Sequence, residues 1–205
     1  MANSKQRIVE ATLQTLKEKG FAGASTRAIA ANGGFRPGLI FYYFPTHHDL
    51  LLAALEHASE ERRARYEEQV AQATSFAELV TTLERIYRED RDSGFIRVVS
   101  EIVAGSVAHP ELGPRVVALM EPWLQTAQSA AERVLAASGL GGAVSARQLA
   151  FAAVTFYLGA NLLTQMVPES EDVEEMFRTA RRLAPMLDLF GGSLGLVFGP
   201  PENSP

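Results

Sequence analysis

From Gln148 to Pro168 the chain reads QLAFAAVTFYLGANLLTQMVP, without one charged residue. A run of that length either crosses a bilayer or forms a helix that other apolar surface must cover. Gln148, Thr155, Asn161, Thr164 and Gln165 place polar groups along it, and no second run of the kind accompanies it. The expectation is therefore a buried helix of a soluble protein and no membrane span. The 205 residues, 47% hydrophobic and 21% charged, have the composition of a soluble globular protein and are long enough for one sizeable core or two small ones.

The rest of the chain also reads as helix. Ile8, Thr12 and Leu16, with Val9 and Leu13 beside them, have the three-to-four spacing of an amphipathic helix from Ser4 to Lys19, and Gly20 ends it. A second helix is capped by Ser25 or Thr26, turns Ile29 and Ala30 inward, and runs to Asn32 before Gly33 and Gly34 break it. Pro37 fits the first turn of a third, short helix that Pro45 stops after Phe44. Thr46 and Asp49 have the spacing of a capping box and open a long helix to Gln72.

Two short helices joined by a tight glycine connection make a helix-turn-helix, whose second helix enters the DNA major groove. Charge agrees with that use. Lys5, Arg7, Lys17, Lys19, Arg27 and Arg36 against Glu10 and Glu18 give residues 1–48 a net charge of +4, although the whole chain carries −5. A basic head on an acidic body points the head at a polyanion. Arg36, at the mouth of the third helix, opposes the positive end of the helix dipole, a placement that suits an arriving phosphate or guanine edge. Pro37, Leu39, Tyr42 and Tyr43 would face outward, although an aromatic pair on a short helix also suits a core. Thr26 and Arg27, opening the second helix, suit phosphate contacts that set register.

On STRAIAANGGF followed by PGLIFYYFP, residues 4–52 resemble the DNA-binding head of the TetR-type bacterial repressors. Thr26 and Arg27 open the second helix of that pattern, Gly34 and Phe35 make its turn, Gly38 lies in the reading helix, and Phe44 with Leu50 closes the small core. Four positions depart from it: Arg36 replaces a small polar residue, Phe41 a tyrosine, Tyr43 a histidine, and His47 the lysine that grips a phosphate. The resemblance implies an all-α protein with a DNA-binding domain over residues 1–48 and an effector-binding and dimerisation domain over residues 49–190. Residues 191–205 are expected to be a loosely packed tail.

Beyond Ser75 the pattern predicts helices over 75–91, 94–107, 114–137, 145–166 and 171–190, separated by RDSGF, AHPELGP, SGLGGAVS and VPESED. The last two carry more apolar surface than one small domain needs: Phe151, Val154, Leu158 and Leu162 on one, Met176, Phe177, Ala180, Leu183, Ala184 and Leu187 on the other. In the resembled family such a pair forms a four-helix bundle with its copy, so a homodimer is expected, reading a pseudo-palindromic double-stranded operator. Tyr87, Phe95, Val99, Ile102, Val103, Met120, Trp123, Leu124 and Phe156 suit either an ordinary core or an apolar effector pocket, with Glu101 and Asn161 as orienting polar groups. The resemblance implies the pocket.

Catalysis is not expected. GGSLG at 191–195 matches a nucleophile pattern but follows a helix, and no histidine lies beyond it. His47, His48, His57 and His109 lack metal-site spacing, cysteine is absent, and there is no phosphate loop or dinucleotide fingerprint, so neither metal nor cofactor is expected. No secretory signal opens the sequence, and the expected location is the cytoplasm. The reading is a homodimeric repressor released by an apolar small molecule. Its rivals are an architectural DNA binder of the same fold without effector and an all-helical lipophile-binding protein.

Overall fold

Ser25 settles where the second helix starts: its hydroxyl accepts a hydrogen bond from the Ala28 N–H at 3.2 Å, capping α2 (Thr26–Gly33). The computed structural model describes residues 4–140 and 144–198, which contain nine α-helices, one 3-10 turn and no strand. Gly20, at φ 68° and ψ −177°, interrupts α1 (Ser4–Gly23) at the expected stop. Its left-handed φ favours glycine, and a Cβ there would lie 2.9 Å from the Glu101 carboxylate. Gly34, left-handed at φ 67° and ψ 35°, ends α2. Pro37 precedes α3 (Gly38–Tyr43), which Phe44 leaves in an extended conformation. Thr46 and Asp49 then cap α4 (His47–Ala71) reciprocally: the Asp49 N–H donates to Thr46 Oγ1 at 3.1 Å and the Thr46 N–H to Asp49 Oδ2 at 3.0 Å. Hydrogen bonds from Thr46, then from Arg115, hold the Asp49 carboxyl below its usual range.

The remaining elements are α5 (Phe76–Ser93), α6 (Phe95–Ala108), the 3-10 turn Pro110–Leu112, α7 (Gly113–Ser138), α8 (Ala146–Met166) and α9 (Asp172–Phe198). The main difference from the sequence reading is the end of α9, which continues through GGSLG to Phe198. That motif is helical rather than a strand-to-helix elbow. Residues 199–205 of the expected tail lie outside the described residues.

The chain divides into two compact units, one made of Met1–Ala64 with Asp90–Met120, the other of Arg65–Glu89 with Glu121–Pro205. In the first, α1 packs on α2 and on α6. Ile8, Leu16, Ile29, Ile40, Leu50 and Val98 are fully buried there, each removal from water contributing roughly 1.5–3 kcal/mol. Arg62 organises its polar interior: Nε donates to the buried Asp90 at 3.1 Å, and the guanidinium stacks 4.2 Å over the Phe95 ring. The core of the second unit gathers Val70, Phe76 and Leu79 with Val134, Leu135, Leu140 and Ala184. Asp188 of α9 accepts from the Phe76 and Ala77 N–H groups at 2.7 and 3.1 Å, placing a carboxylate at the α5 N-terminus. The buried Glu84 joins Arg88 at 2.7 Å and Arg181 at 2.6 Å.

Candidate functional site

α3 has six residues and can bury only one side. Ile40 faces the core with Phe44 beyond it, and the opposite side is left to solvent. Tyr42 is 80% exposed and Phe41 54%, while Arg36 and Pro37 at the helix mouth are exposed. Leu39 and Tyr43 are half-buried, so the expected outward set is narrower on those two positions and gains Phe41. Tyr43 meets Tyr42 edge to face at a centroid distance of 4.9 Å. Arg27 is exposed and Thr26 half-buried at the start of α2. Arg7 reaches the Gly33 carbonyl at 3.4 Å and braces the turn.

His47, expected at a phosphate, is half-buried, and its Nδ1 is buried without a hydrogen-bond partner among the described residues. Burial, then the neighbouring His48, pushes the His47 imidazole below the ordinary histidine range. A neutral ring in that position gives a phosphate much less than a lysine would.

The residues expected to form an effector pocket fall into both units. Phe95 and Ile102 are core residues of the first unit, with Val99, Glu101, Val103 and Met120 half-buried. Glu101 has a structural partner: its Oε2 accepts from the Phe21 N–H at 2.7 Å, fastening α6 to the end of α1. The Phe21 ring lies so close to Gly105 that a Cβ there would come within 2.7 Å of it.

In the second unit Tyr87 is buried, with its hydroxyl 2.7 Å from Thr164 Oγ1 and its ring 5.4 Å from that of Phe177. Phe156 packs on the same Phe177 at 5.5 Å, and Trp123 lies 6.1 Å from Tyr66, with Leu124 half-buried. Asn161 is 2% exposed, and neither Oδ1 nor Nδ2 has a hydrogen-bond partner among the described residues. An unpaired buried amide costs about 1–3 kcal/mol. A groove of about 450 Å³, lined by Gln69, Gln72, Ala73, Ala77, Glu78, Thr81, Thr82 and Arg85, also lies in this unit, and it contains none of the expected pocket residues.

The expected dimer surface is redistributed. Phe177 and Ala184 turn inward, the first onto Tyr87 and Phe156, the second into the core under α5 and α7. Val154, Leu158 and Ala180 are half-buried. Phe151, Leu162, Met176, Leu183 and Leu187 are exposed, and Leu163, Met166 and Met186, three residues outside the expected set, are exposed with them. α8 is the one described helix long and apolar enough to cross a membrane, and only 17% of its apolar window is buried. Within one chain α8 is covered only in part: Ala150, Ala160 and Asn161 are buried and Phe156 and Leu158 half-buried, whereas Phe151, Leu162, Leu163 and Met166 are exposed.

A capped short helix, a left-handed glycine turn and a second short helix with exposed aromatic and cationic side chains make a helix-turn-helix, followed here by six further α-helices. Residues 8–54 match the family described as bacterial regulatory proteins, tetR family. Solved structures extend the likeness to the whole fold. The transcriptional regulator FadR from Bacillus subtilis, solved with stearoyl-CoA, is 15% identical with a TM-score of 0.73 over 87% of this chain and 96% of its own. A TetR-family regulator from Cytophaga hutchinsonii is 16% identical, TM-score 0.74, over 89% and 93%. Regulatory protein TetR from Rhodobacter sphaeroides is 21% identical, TM-score 0.71, over 88% and 98%. Among curated proteins nothing matches. The head of this chain is that of the tetR family of bacterial regulators, and the whole chain has the TetR-family transcriptional regulator fold.

Proposed function

We propose that this protein is a homodimeric transcriptional repressor that reads a pseudo-palindromic duplex operator with α3 and is released by an apolar small molecule. The observation that carries this reading is the outer side of α3. Tyr42 and Phe41 are exposed beside Arg36, which combines a cation for phosphate or guanine with apolar and hydroxyl groups for base edges. Thr26 and Arg27 would hold the backbone. The apolar side chains exposed on α8 and α9 would be covered by the same surface of a second copy, which also supplies the second reading helix.

For the effector, Asn161 supports a site in the second unit: its unpaired amide stands in a helix whose neighbouring Thr164 already bonds Tyr87. An apolar molecule with one polar group would satisfy it and pack on the nearby aromatics. FadR was solved with stearoyl-CoA, whose acyl chain is apolar although its CoA part is highly polar.

Selection from random duplexes, followed by anisotropy titration, tests the reading. Two inverted half-sites about 34–36 Å apart are expected, with affinity at least about 10³-fold above bulk DNA. Protein that retains its fold but binds no DNA at all would favour the lipophile-binding alternative, and binding without sequence preference the architectural one.

A further inference from the structure

Two imidazoles and a carboxylate meet within the first unit, His48 joining His109 and Glu111 from about sixty residues away in the sequence. His48 stands in the first turn of α4, His109 directly after α6, and Glu111 in the 3-10 turn. Glu111 Oε1 lies 3.8 Å from His48 Nδ1 and 3.6 Å from His109 Nδ1, and the two imidazole centroids are 4.7 Å apart. One ligand atom from each residue falls within 4.8 Å of the others. Those separations exceed the roughly 2.7–3.2 Å of hydrogen bonds. They approach the edge of about 3.3 Å between N and O ligands placed tetrahedrally about 2.0–2.1 Å from one ion. The sequence reading found no metal spacing among the histidines because His48 lies in a separate element that only the fold brings to His109 and Glu111.

We propose that His48, His109 and Glu111 form a binding site for a divalent transition-metal ion, with solvent completing the coordination. Side-chain exposures of 27%, 42% and 63% leave room for that solvent. Two imidazoles with one carboxylate favour zinc, cobalt, nickel or copper over magnesium or calcium, which prefer all-oxygen shells. The N-terminal dipole of α4 opposes a cation, but its effective half-charge is smaller than the full negative charge of Glu111. A neighbouring contact already joins the same segments, since Asp49 of α4 pairs with Arg115 of α7 at 2.8 Å. A bound ion would add a second tie, fixing the start of α4, just past the reading helix, to the connection between α6 and α7.

The test reads the ion alone and does not depend on DNA binding. Untagged full-length protein, freed of metal with a chelator and dialysed, is titrated with Co2+ while visible absorption is followed. One Co2+ per chain is expected, with d–d bands that Zn2+ abolishes and excess Mg2+ leaves intact. His109→Ala and Glu111→Gln should each weaken Co2+ binding by about tenfold or more with unchanged circular dichroism. His57→Ala should bind as the wild type. Glu111→Gln is nearly isosteric at an exposed position, so it decides the matter should His109→Ala fail to fold. Absence of Co2+ binding up to millimolar concentration, wild-type affinity in Glu111→Gln, or displacement by Mg2+ would overturn the site.

Discussion

The outer side of α3 and the outer sides of α8 and α9 both leave large apolar side chains in solvent, but in different company. On α3, Tyr42 and Phe41 are exposed, as is Arg36 just before the helix, on a head whose first 48 residues carry +4. On α8, Phe151, Leu162, Leu163 and Met166 extend along a helix that bears no charge from Gln148 onward. The difference teaches what each surface can accept. Apolar groups framed by cations suit a polyanion with apolar base edges, whereas a long uncharged stripe gains only from another apolar surface, and an identical copy supplies one.

Placing one substitution in both regions is the strongest way to break the comparison. Leu162→Glu changes a side chain already 50% exposed in its own chain, so the protomer should fold normally. In a two-fold interface it buries two unpaired charges, each costing roughly 3–5 kcal/mol, and should yield monomers that no longer hold operator. Tyr42→Glu should leave the dimer intact and lower operator affinity by at least about tenfold through repulsion from phosphates. Sedimentation at micromolar protein with operator titration separates the two. A native monomer in the wild type would remove the contrast altogether.

A finer distinction lies within each surface. Arg36→Ala should weaken specific binding by about 1–3 kcal/mol per half-site and relax preference at one base pair if the guanidinium reads guanine. A reduced salt slope with unchanged preference assigns it to phosphate, and no change in either excludes the contact. On the inward side of α8, Asn161→Leu should raise the stability of the free protein by about 1–3 kcal/mol, because the unpaired amide is gone, and should abolish response to effector. Thermal unfolding with operator release as the second readout checks it, and destabilisation would show that the amide has a structural partner instead.

The same contrast explains what could be read from sequence. Starts and stops were legible because their causes are local: Ser25 with Ala28, Thr46 with Asp49, and the left-handed Gly20 and Gly34 lie within a few residues of the ends they set. Gly191 and Gly192 misled because α9 continues through them. Partners across the fold were not legible. Helical spacing marks Met176, Phe177, Leu183 and Ala184 as apolar without saying that Phe177 and Ala184 turn inward while Met176 and Leu183 stay out. Glu101 has the character of a pocket acid until the Phe21 N–H, 80 residues away, is seen to hold it. The meeting of His48, His109 and Glu111 is of the same kind.

The smallest effect in the comparison concerns two serine caps. Ser25 accepts a single bond at the start of α2, whereas Ser145 shares a capping box with Gln148 at the start of α8, its Oγ accepting from the Gln148 N–H at 3.1 Å and its own N–H donating to Gln148 Oε1 at 3.3 Å. Replacement of either by alanine should cost about 0.5–2 kcal/mol. The functional readouts should diverge. α2 has eight residues, too few to hold its first turn without the cap, so Ser25→Ala should loosen Thr26 and Arg27 and weaken operator binding while the dimer persists. α8, at 21 residues, should absorb the loss of Ser145 with a lower melting temperature and unchanged operator affinity. Hydrogen exchange at the Ala28 and Gln148 amides reports each cap directly. Equal losses of operator affinity in the two variants would mean that the head responds to overall stability rather than to the order of its own first turn.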